Sequence, residues 1–396
     1  MKTNRKVAIV TVTANNYGDF LQAFALKEYI NNIDGYNAEI LRIFPSSNIV
    51  TRCKNLLLGK GIKYVFNKII NRVINRKKIS NSRNDVFKKE YERITYGNVY
   101  RNNKEFSKSN NIYDIFISGS AFTWSDHASN INAINIYFLK GIIKPKISYA
   151  PSIGGGSNFN KHLIKKITPL INEYEHVSVR EIAGQEFILN KINNSLSVFH
   201  AIDPTLLLLA DEWDKIAHSK CTDFQYINKD YIFTYFLGTS SEQRNFVKEY
   251  SKSTNIEIIT FPHLWLNVEA DDDFGDIKIN NATPYELLLY IKHAKFIFTD
   301  SFHCSVFSGL FKKEFFVFDR VGKKNERSET LYNPRIIDLL SLFCAQNRYI
   351  KDTKINISEL NNIKTDWNQL DENLSAKREE CRKWLKKSLS AVTKCG

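Results

Sequence analysis

The sequence lacks the features that mark the commoner membrane, metal and nucleotide-hydrolysing classes. No apolar run approaches the roughly 18 residues needed to cross a bilayer. The six cysteines (Cys53, Cys221, Cys304, Cys344, Cys381 and Cys395) never fall at CxxC spacing, which argues against a zinc site or a disulfide framework. There is no GxxxxGK[ST] phosphate loop, no GxGxxG opening a helix, no GxSxG elbow and no HExxH. Internal repeats and low-complexity tracts are also missing. No metal and no bound cofactor are expected. The first apolar run, Val7–Val12, is too short for a signal-peptide core and leads into a polar turn. It reads as the first buried strand of a cytoplasmic protein.

What is present fits an ordinary globular chain, with 43% hydrophobic and 25% charged residues over 396 positions. That length exceeds one compact core and predicts two domains. The net charge of +14 is unevenly placed. Residues 1–210 hold about 29 Lys+Arg against about 15 Asp+Glu, and the rest of the chain is balanced. Most of the excess lies in a helical insert at 51–92. Within it, Ile62, Val65, Phe66, Ile69, Ile70, Val73 and Ile74 form one apolar helical stripe, with Lys63, Lys68, Arg72 and Arg76 off it. Two readings stand. One is a packed helix with a solvated basic face. The other is a peripheral contact, through 62–76, with the inner face of an anionic membrane. Nucleic acid is not an expected partner, since aromatics are not interleaved with the basic residues.

Short apolar strands alternate with helical segments in both halves. Val7–Val12, Ala38–Ile43, Tyr113–Ser118, Lys146–Ala150, Val177–Val179 and Ser197–His200 read as strands in the first. Tyr231–Phe236, Glu257–Phe261, Phe296–Thr299 and Phe315–Phe318 do so in the second. This predicts an α/β fold of two Rossmann-like domains facing a cleft, residues 1–215 and 216–396, with a C-terminal helix over 371–392. The boundary is placed in Asp211–Lys229, a polar stretch without clear period.

In open α/β sheets ligands bind beyond the carboxyl ends of the strands. That rule selects Asn15–Gly18, Gly119–Ser120, Pro151–Gly156 and Asp300–His303. Gly154–Gly156 either lets backbone N–H groups approach a phosphate or sugar or is a flexible turn. His303 stands where a strand gives way to a helix, beside Asp300 and Ser301, a place for a side chain that titrates near neutrality.

At these loops the chain resembles the polysaccharide pyruvyl transferase family. The resemblance rests on Asn16-Tyr17-Gly18 followed by Leu21–Leu26, on the loop from Gly119-Ser120 to Trp124, and on ISYAPSIG at Ile147–Gly154. It continues through VSVRE at Val177–Glu181, DPTLLL at Asp203–Leu208, YIFTYFLG at Tyr231–Gly238, TDSFH at Thr299–His303, and Asn333 with Arg335. It implies a fold similar to GT-B glycosyltransferases and transfer of a pyruvyl group from phosphoenolpyruvate, a co-substrate, to a sugar hydroxyl, closing to a ketal with release of phosphate. The acceptor would be a polysaccharide of the cell surface or its lipid-linked precursor. His303 would be the general acid, with Asp300 beside it. Ser301, Arg180, Arg320 and Arg335 would hold the donor. Asn16, Tyr17, Gly18, Gln22, Gly119, Ser120, Ser152 and Gly154 would face the acceptor. Three residues depart from the family pattern: Ser301 where some members have arginine, Ala121 where the GSDxxW loop has its acid, and Cys304 where glycine often follows the histidine. A nucleotide-sugar glycosyltransferase and a catalytically silent glycan-binding member remain alternatives.

Overall fold

A computed structural model describes residues 4–46, 80–125, 130–154, 159–264, 268–321, 333–351 and 353–394. The basic helix expected over 62–76 lies outside the described residues. Two parallel sheets organise the rest. In the first, β1 (Arg5–Val10), β2 (Tyr36–Ile43), β3 (Thr95–Tyr100), β4 (Ile115–Ser118) and β5 (Lys146–Ser148) run in the order β3-β2-β1-β4-β5. A short pair, β6 (Val177–Val179) and β7 (Val198–His200), continues this edge through a bridge between Ile147 and His176. The second sheet holds β8 (Tyr231–Tyr235), β9 (Glu257–Phe261), β10 (Ile277–Lys278), β11 (Phe296–Thr299), β12 (Glu314–Phe318) and β13 (Tyr349–Ile350), in the order β10-β9-β8-β11-β12-β13.

The central strands are apolar on both faces because helices cover both, as a parallel sheet requires. Val7 through Val10 and Ile115 through Ile117 are all essentially inaccessible. Both sheets reverse strand order at one point, between β1 and β4 in the first and between β8 and β11 in the second. Ligand crevices open at such switch points. The loops leaving these four strands build the site below.

The two halves share packed surface. The helix Tyr17–Asn31 is buried on nearly every side, more than the single face suggested by Leu21, Ala25 and Leu26. Phe20 and Phe24 pack edge-on against Tyr285 of the second half, with centroids 5.7 and 5.8 Å apart. Trp213 bridges Phe24 and Phe307. A helix apolar on all sides is stable only when enclosed, which fixes this one between the sheets.

Two expectations change. Asp211–Lys229 is not periodless throughout: Ala210–Lys220 is a helix, with Glu212 bonded back to the Leu209 N–H. Only Trp213 and Ala217 of that helix are buried, so its stripe is too sparse to read. The C-terminal helix runs over Trp367–Lys394 and returns to the first half. Arg378 and Arg382 donate to the carbonyls of Leu206 and Leu207, and Trp384 stacks on Phe199 at 5.1 Å. This strap secures the Pro204–Leu207 turn, whose N-cap residue is Asp203.

Candidate functional site

The centre of the site is a close approach of two helix starts. Asn16 caps the helix Tyr17–Asn31, its side-chain oxygen accepting from the Gly18 N–H at 2.9 Å. Ser301 caps the helix Phe302–Leu310 by accepting from Cys304 N–H at 3.4 Å. His303, in the first turn of the second helix, lays its imidazole over Gly18 in the first. A Cβ added at Gly18 would lie 2.0 Å from His303 Nδ1, so only glycine leaves the ring its place. The other ring nitrogen, Nε2, faces Asp203 Oδ2 at 3.4 Å.

Asp203 belongs to a buried network. Its Oδ2 accepts from Arg180 Nη1 at 2.6 Å, and its Oδ1 accepts from the Thr205 N–H and hydroxyl. Arg180 also pairs with Glu181 at 3.4 Å and approaches the Ser120 hydroxyl at 3.4 Å. Burial alone would raise the Asp203 pKa, but His303, Arg180 and the Thr205 hydroxyl hold it well below the usual carboxylate range. Burial lowers the His303 pKa; Asp203 works against that, while Arg180 and Arg335 add to it. Arg335 reaches the same cluster from the helix Asn333–Leu342. Its guanidinium lies 4.2 Å from the ring centre of Phe122 and 5.4 Å from that of Phe302, and Phe302 also carries Arg180 at 5.0 Å. Stacking fixes both planar cations while leaving their edges for hydrogen bonds.

A sequence profile describing the polysaccharide pyruvyl transferase family matches residues 16–320, a span containing every residue of this centre except Arg335. The chain belongs to the polysaccharide pyruvyl transferase family. No curated protein matches it in sequence. Among solved structures it is similar to a UDP-N-acetylglucosamine 2-epimerase from Rickettsia bellii, 11% identical, with 99% of this chain and 97% of that one covered and a TM-score of 0.51. A second similar structure is the UDP-GlcNAc 2-epimerase from Methanocaldococcus jannaschii, 10% identical, with 93% and 92% covered and a TM-score of 0.48. The first likeness establishes the expected fold, two α/β halves of GT-B type, and nothing about chemistry.

Within this pyruvyl transferase fold the expected site residues part into two groups. His303, Gly18, Arg180, Arg335 and Ser120 gather around one point. The others support it from behind or stand apart. Asp300 is not beside the imidazole: its carboxylate is enclosed, accepting from the N–H groups of Leu237 and Gly238 at 2.6 Å each. Neighbouring residues at a strand-to-helix turn point in different directions, so Asp300 clamps β11 to the loop after β8 while His303 crosses to the other half. Arg320 stays with Asp300, donating to its carbonyl at 3.1 Å. Ser301 spends its hydroxyl on capping, and so does the Asn16 amide oxygen. Tyr17 is buried and donates to the Ala282 carbonyl. Gln22 ties Thr11 to the Ser120 N–H. Ser152 donates to Glu181 at 2.5 Å. Gly119, at φ +131°, packs so tightly that a Cβ would meet the Tyr149 carbonyl at 2.1 Å. Gly154, at φ +70°, lies against Phe122 and Ser125.

Two residues of this centre, Asp203 and Asp19, were not among the expected ones. Asp203 lies in the DPTLLL segment and Asp19 directly follows Gly18. Their sequence neighbours carried a signal, but their relation to His303 is long-range.

One cavity adjoins the centre, and a second opens off the loop that leads into Gly18. One, of about 300 Å³, is walled by Arg180, Asp203, Phe302 and Arg335 with apolar Ile202 and Leu339; His303 is not in its wall and reaches it through Asp203. The other, of about 370 Å³, lies beyond the carboxyl ends of β1 and β2 and is lined by Asn15, Arg42, Asn84, Asp85, Tyr91 and Glu92, among others. Its charged lining residues balance, Arg42 and Lys88 against Asp85 and Glu92. Among the described residues no cluster of three or more His, Cys, Asp or Glu side chains has metal-site geometry. No described helix is long and apolar enough to cross a membrane.

The buried network predicts a stability effect. Asp203→Asn leaves Arg180 with half its compensation inside the protein, and losing one partner of a buried pair costs about 3–5 kcal/mol. Denaturant unfolding should show that loss, and a change below about 1 kcal/mol would contradict the network described here.

Proposed function

We propose that the chain transfers the pyruvyl unit of phosphoenolpyruvate to a sugar of a cell-surface polysaccharide or its lipid-linked precursor, forming a cyclic ketal. The observation that carries this reading is the meeting of His303, Arg180, Arg335 and two helix starts at one point. Helix N-termini and stacked guanidinium groups both favour anions, and phosphoenolpyruvate brings a phosphate and a carboxylate. Arg180 Nη2 is enclosed and has no hydrogen-bond partner among the described residues. A buried donor in that state fits an anionic oxygen better than an apolar or cationic ligand.

The chemistry follows from these groups. His303 as imidazolium gives a proton to the methylene carbon, which becomes the methyl group, and C2 becomes electrophilic. One sugar hydroxyl oxygen bonds to C2 and loses its proton. The C2–O bond to phosphate breaks, its electron pair leaving with the phosphate that both arginines stabilise, and a second hydroxyl oxygen bonds to C2 and loses its proton to solvent, closing the ketal. The groove at Asn15, Asn84 and Glu92 is the place for the acceptor. Asn15 is three residues from Gly18, so their Cα atoms lie within about 11 Å of each other.

The binding step has a measurable signature. Burial keeps free His303 neutral around pH 7.5, since it lowers the imidazole pKa. A bound phosphate dianion favours the imidazolium, so phosphoenolpyruvate should bind with proton uptake. Calorimetric titration in two buffers of different ionisation heat should give different apparent enthalpies, and His303→Gln should remove most of that difference. No binding of phosphoenolpyruvate alongside saturable binding of a nucleotide sugar would overturn the reading.

A further inference from the structure

The reaction needs a base for the attacking hydroxyl, and the groups assigned so far do not supply one. Asp203 is saturated by Arg180 and Thr205, Asp300 by two backbone N–H groups, and Glu181 by Ser152, Arg180 and the Ile153 N–H. Asp19 differs from all three. It sits in the first turn of the helix Tyr17–Asn31, directly after the glycine beneath the His303 ring. Adjacent Cα atoms are about 3.8 Å apart, so its backbone cannot be far from the imidazole. It is half-buried, and its carboxylate makes no hydrogen bond among the described residues, while its carbonyl accepts from Gln22.

We infer that Asp19 is the general base that takes the proton from the acceptor hydroxyl, in a reaction divided between an acid, His303, and a base, Asp19, on facing helix starts. This rests on the pyruvyl-transfer reading above. The acceptor O–H bond breaks, its proton passes to an Asp19 oxygen, and the oxygen's electron pair forms the bond to C2. The proton that His303 gave to the methylene carbon is replaced from solvent, and the phosphate leaves with its electron pair.

The surroundings shift both groups. Enclosure raises the Asp19 pKa to about 7, partly offset by Arg180 and Arg335 and reinforced by Asp203. Tyr91 and Tyr137, on the helices Ser80–Ile94 and Ile131–Tyr137, lie within its electrostatic reach, and both phenols are raised by burial first and by Asp19 next. Both shifts favour the uncharged forms in the empty site, so the roles are set when the donor binds: its phosphate favours the His303 imidazolium, and that cation in turn favours the Asp19 carboxylate.

The position has a consequence that a structural role would not share. Ionised Asp19 stands beside a site for a polyanion, so it should weaken donor binding while speeding transfer. As pH rises through about 7 the wild-type protein should lose affinity for phosphoenolpyruvate more steeply than Asp19→Asn. At pH 8 the variant should bind phosphoenolpyruvate about tenfold more tightly, measured calorimetrically without any acceptor. In the presence of acceptor glycan its turnover should fall at least about a hundredfold. Equal affinity and equal pH dependence in the two proteins, or turnover within about fivefold of wild type, would overturn the assignment of Asp19. Failure of the wild-type protein to bind phosphoenolpyruvate at any pH would instead remove the pyruvyl-transfer reading beneath it.

Discussion

His303→Gln is expected to lower kcat/KM for pyruvyl transfer by about a thousandfold while leaving the fold intact. The estimate is the middle of the range for a positioned general acid. Glutamine keeps much of the bulk above Gly18 and still offers a hydrogen bond toward Asp203, so packing should hold. What it removes is the group that can pass a proton to the methylene carbon. The Asp203 carboxylate would keep Arg180 as a partner, so the variant should melt within a few degrees of the parent. Steady-state phosphate release, with thermal unfolding as control, measures both effects. Loss of both stability and activity would recast His303 as a structural residue.

Gly18→Ala is the smaller change in atoms and nearly as large in expected effect. One methyl group would lie 2.0 Å from His303 Nδ1, closer than any real contact, so the imidazole has to move. Displacing a catalytic group by about 1 Å costs on the order of a hundredfold in rate. The same substitution in a helix is otherwise favourable by about 0.5–1 kcal/mol, because alanine loses less entropy than glycine. Overpacking costs about 1–3 kcal/mol against that gain, so the prediction is a protein that still folds, destabilised by no more than about 2.5 kcal/mol, and at least a hundredfold slower. In the His303→Gln background the added cost should be small, because both changes act through one group. Additive losses in the double variant would place the effect of Gly18 elsewhere.

The fold was legible where burial is two-sided. Val7–Val10, Ile115–Ser118 and Phe296–Thr299 lie at or next to sheet centres, and their apolar runs announce them. Thr95–Tyr100 lies at the outer edge of its sheet, with Tyr96, Gly97 and Asn98 exposed, so its polar sequence hides it. Ile277–Lys278 and Tyr349–Ile350 are two-residue edge strands with no pattern to find. The site was legible as a set of loops, because the switch-point rule names them from strand order. The direction of each side chain was not. His303 and Asp300 are three residues apart, yet one crosses to Gly18 and the other to Gly238. Arg180 and Arg335 were named from motif position and do converge, through stacking on Phe302 that spacing cannot reveal. Asp19 went unread because nothing local marks it; its significance lies in the imidazole that a distant part of the chain places beside it.

Substitution at the family's usual acid gains a physical counterpart here. Ala121 stands at the start of the loop that delivers Phe122 to the face of Arg335. The loop thus holds that guanidinium with an aromatic ring, and stacking orients a cation without neutralising it.

The most direct measurement follows the carbon of the donor. Phosphoenolpyruvate labelled with 13C at C2 and C3 should be incubated with the protein and an acceptor glycan. The account predicts that the C2 signal moves to a ketal carbon bearing a labelled methyl group on the glycan. One phosphate should be released for each ketal formed, and neither event should occur at a significant rate with His303→Gln. Recovery of unchanged phosphoenolpyruvate, with glycan extended instead from a nucleotide sugar, would contradict it.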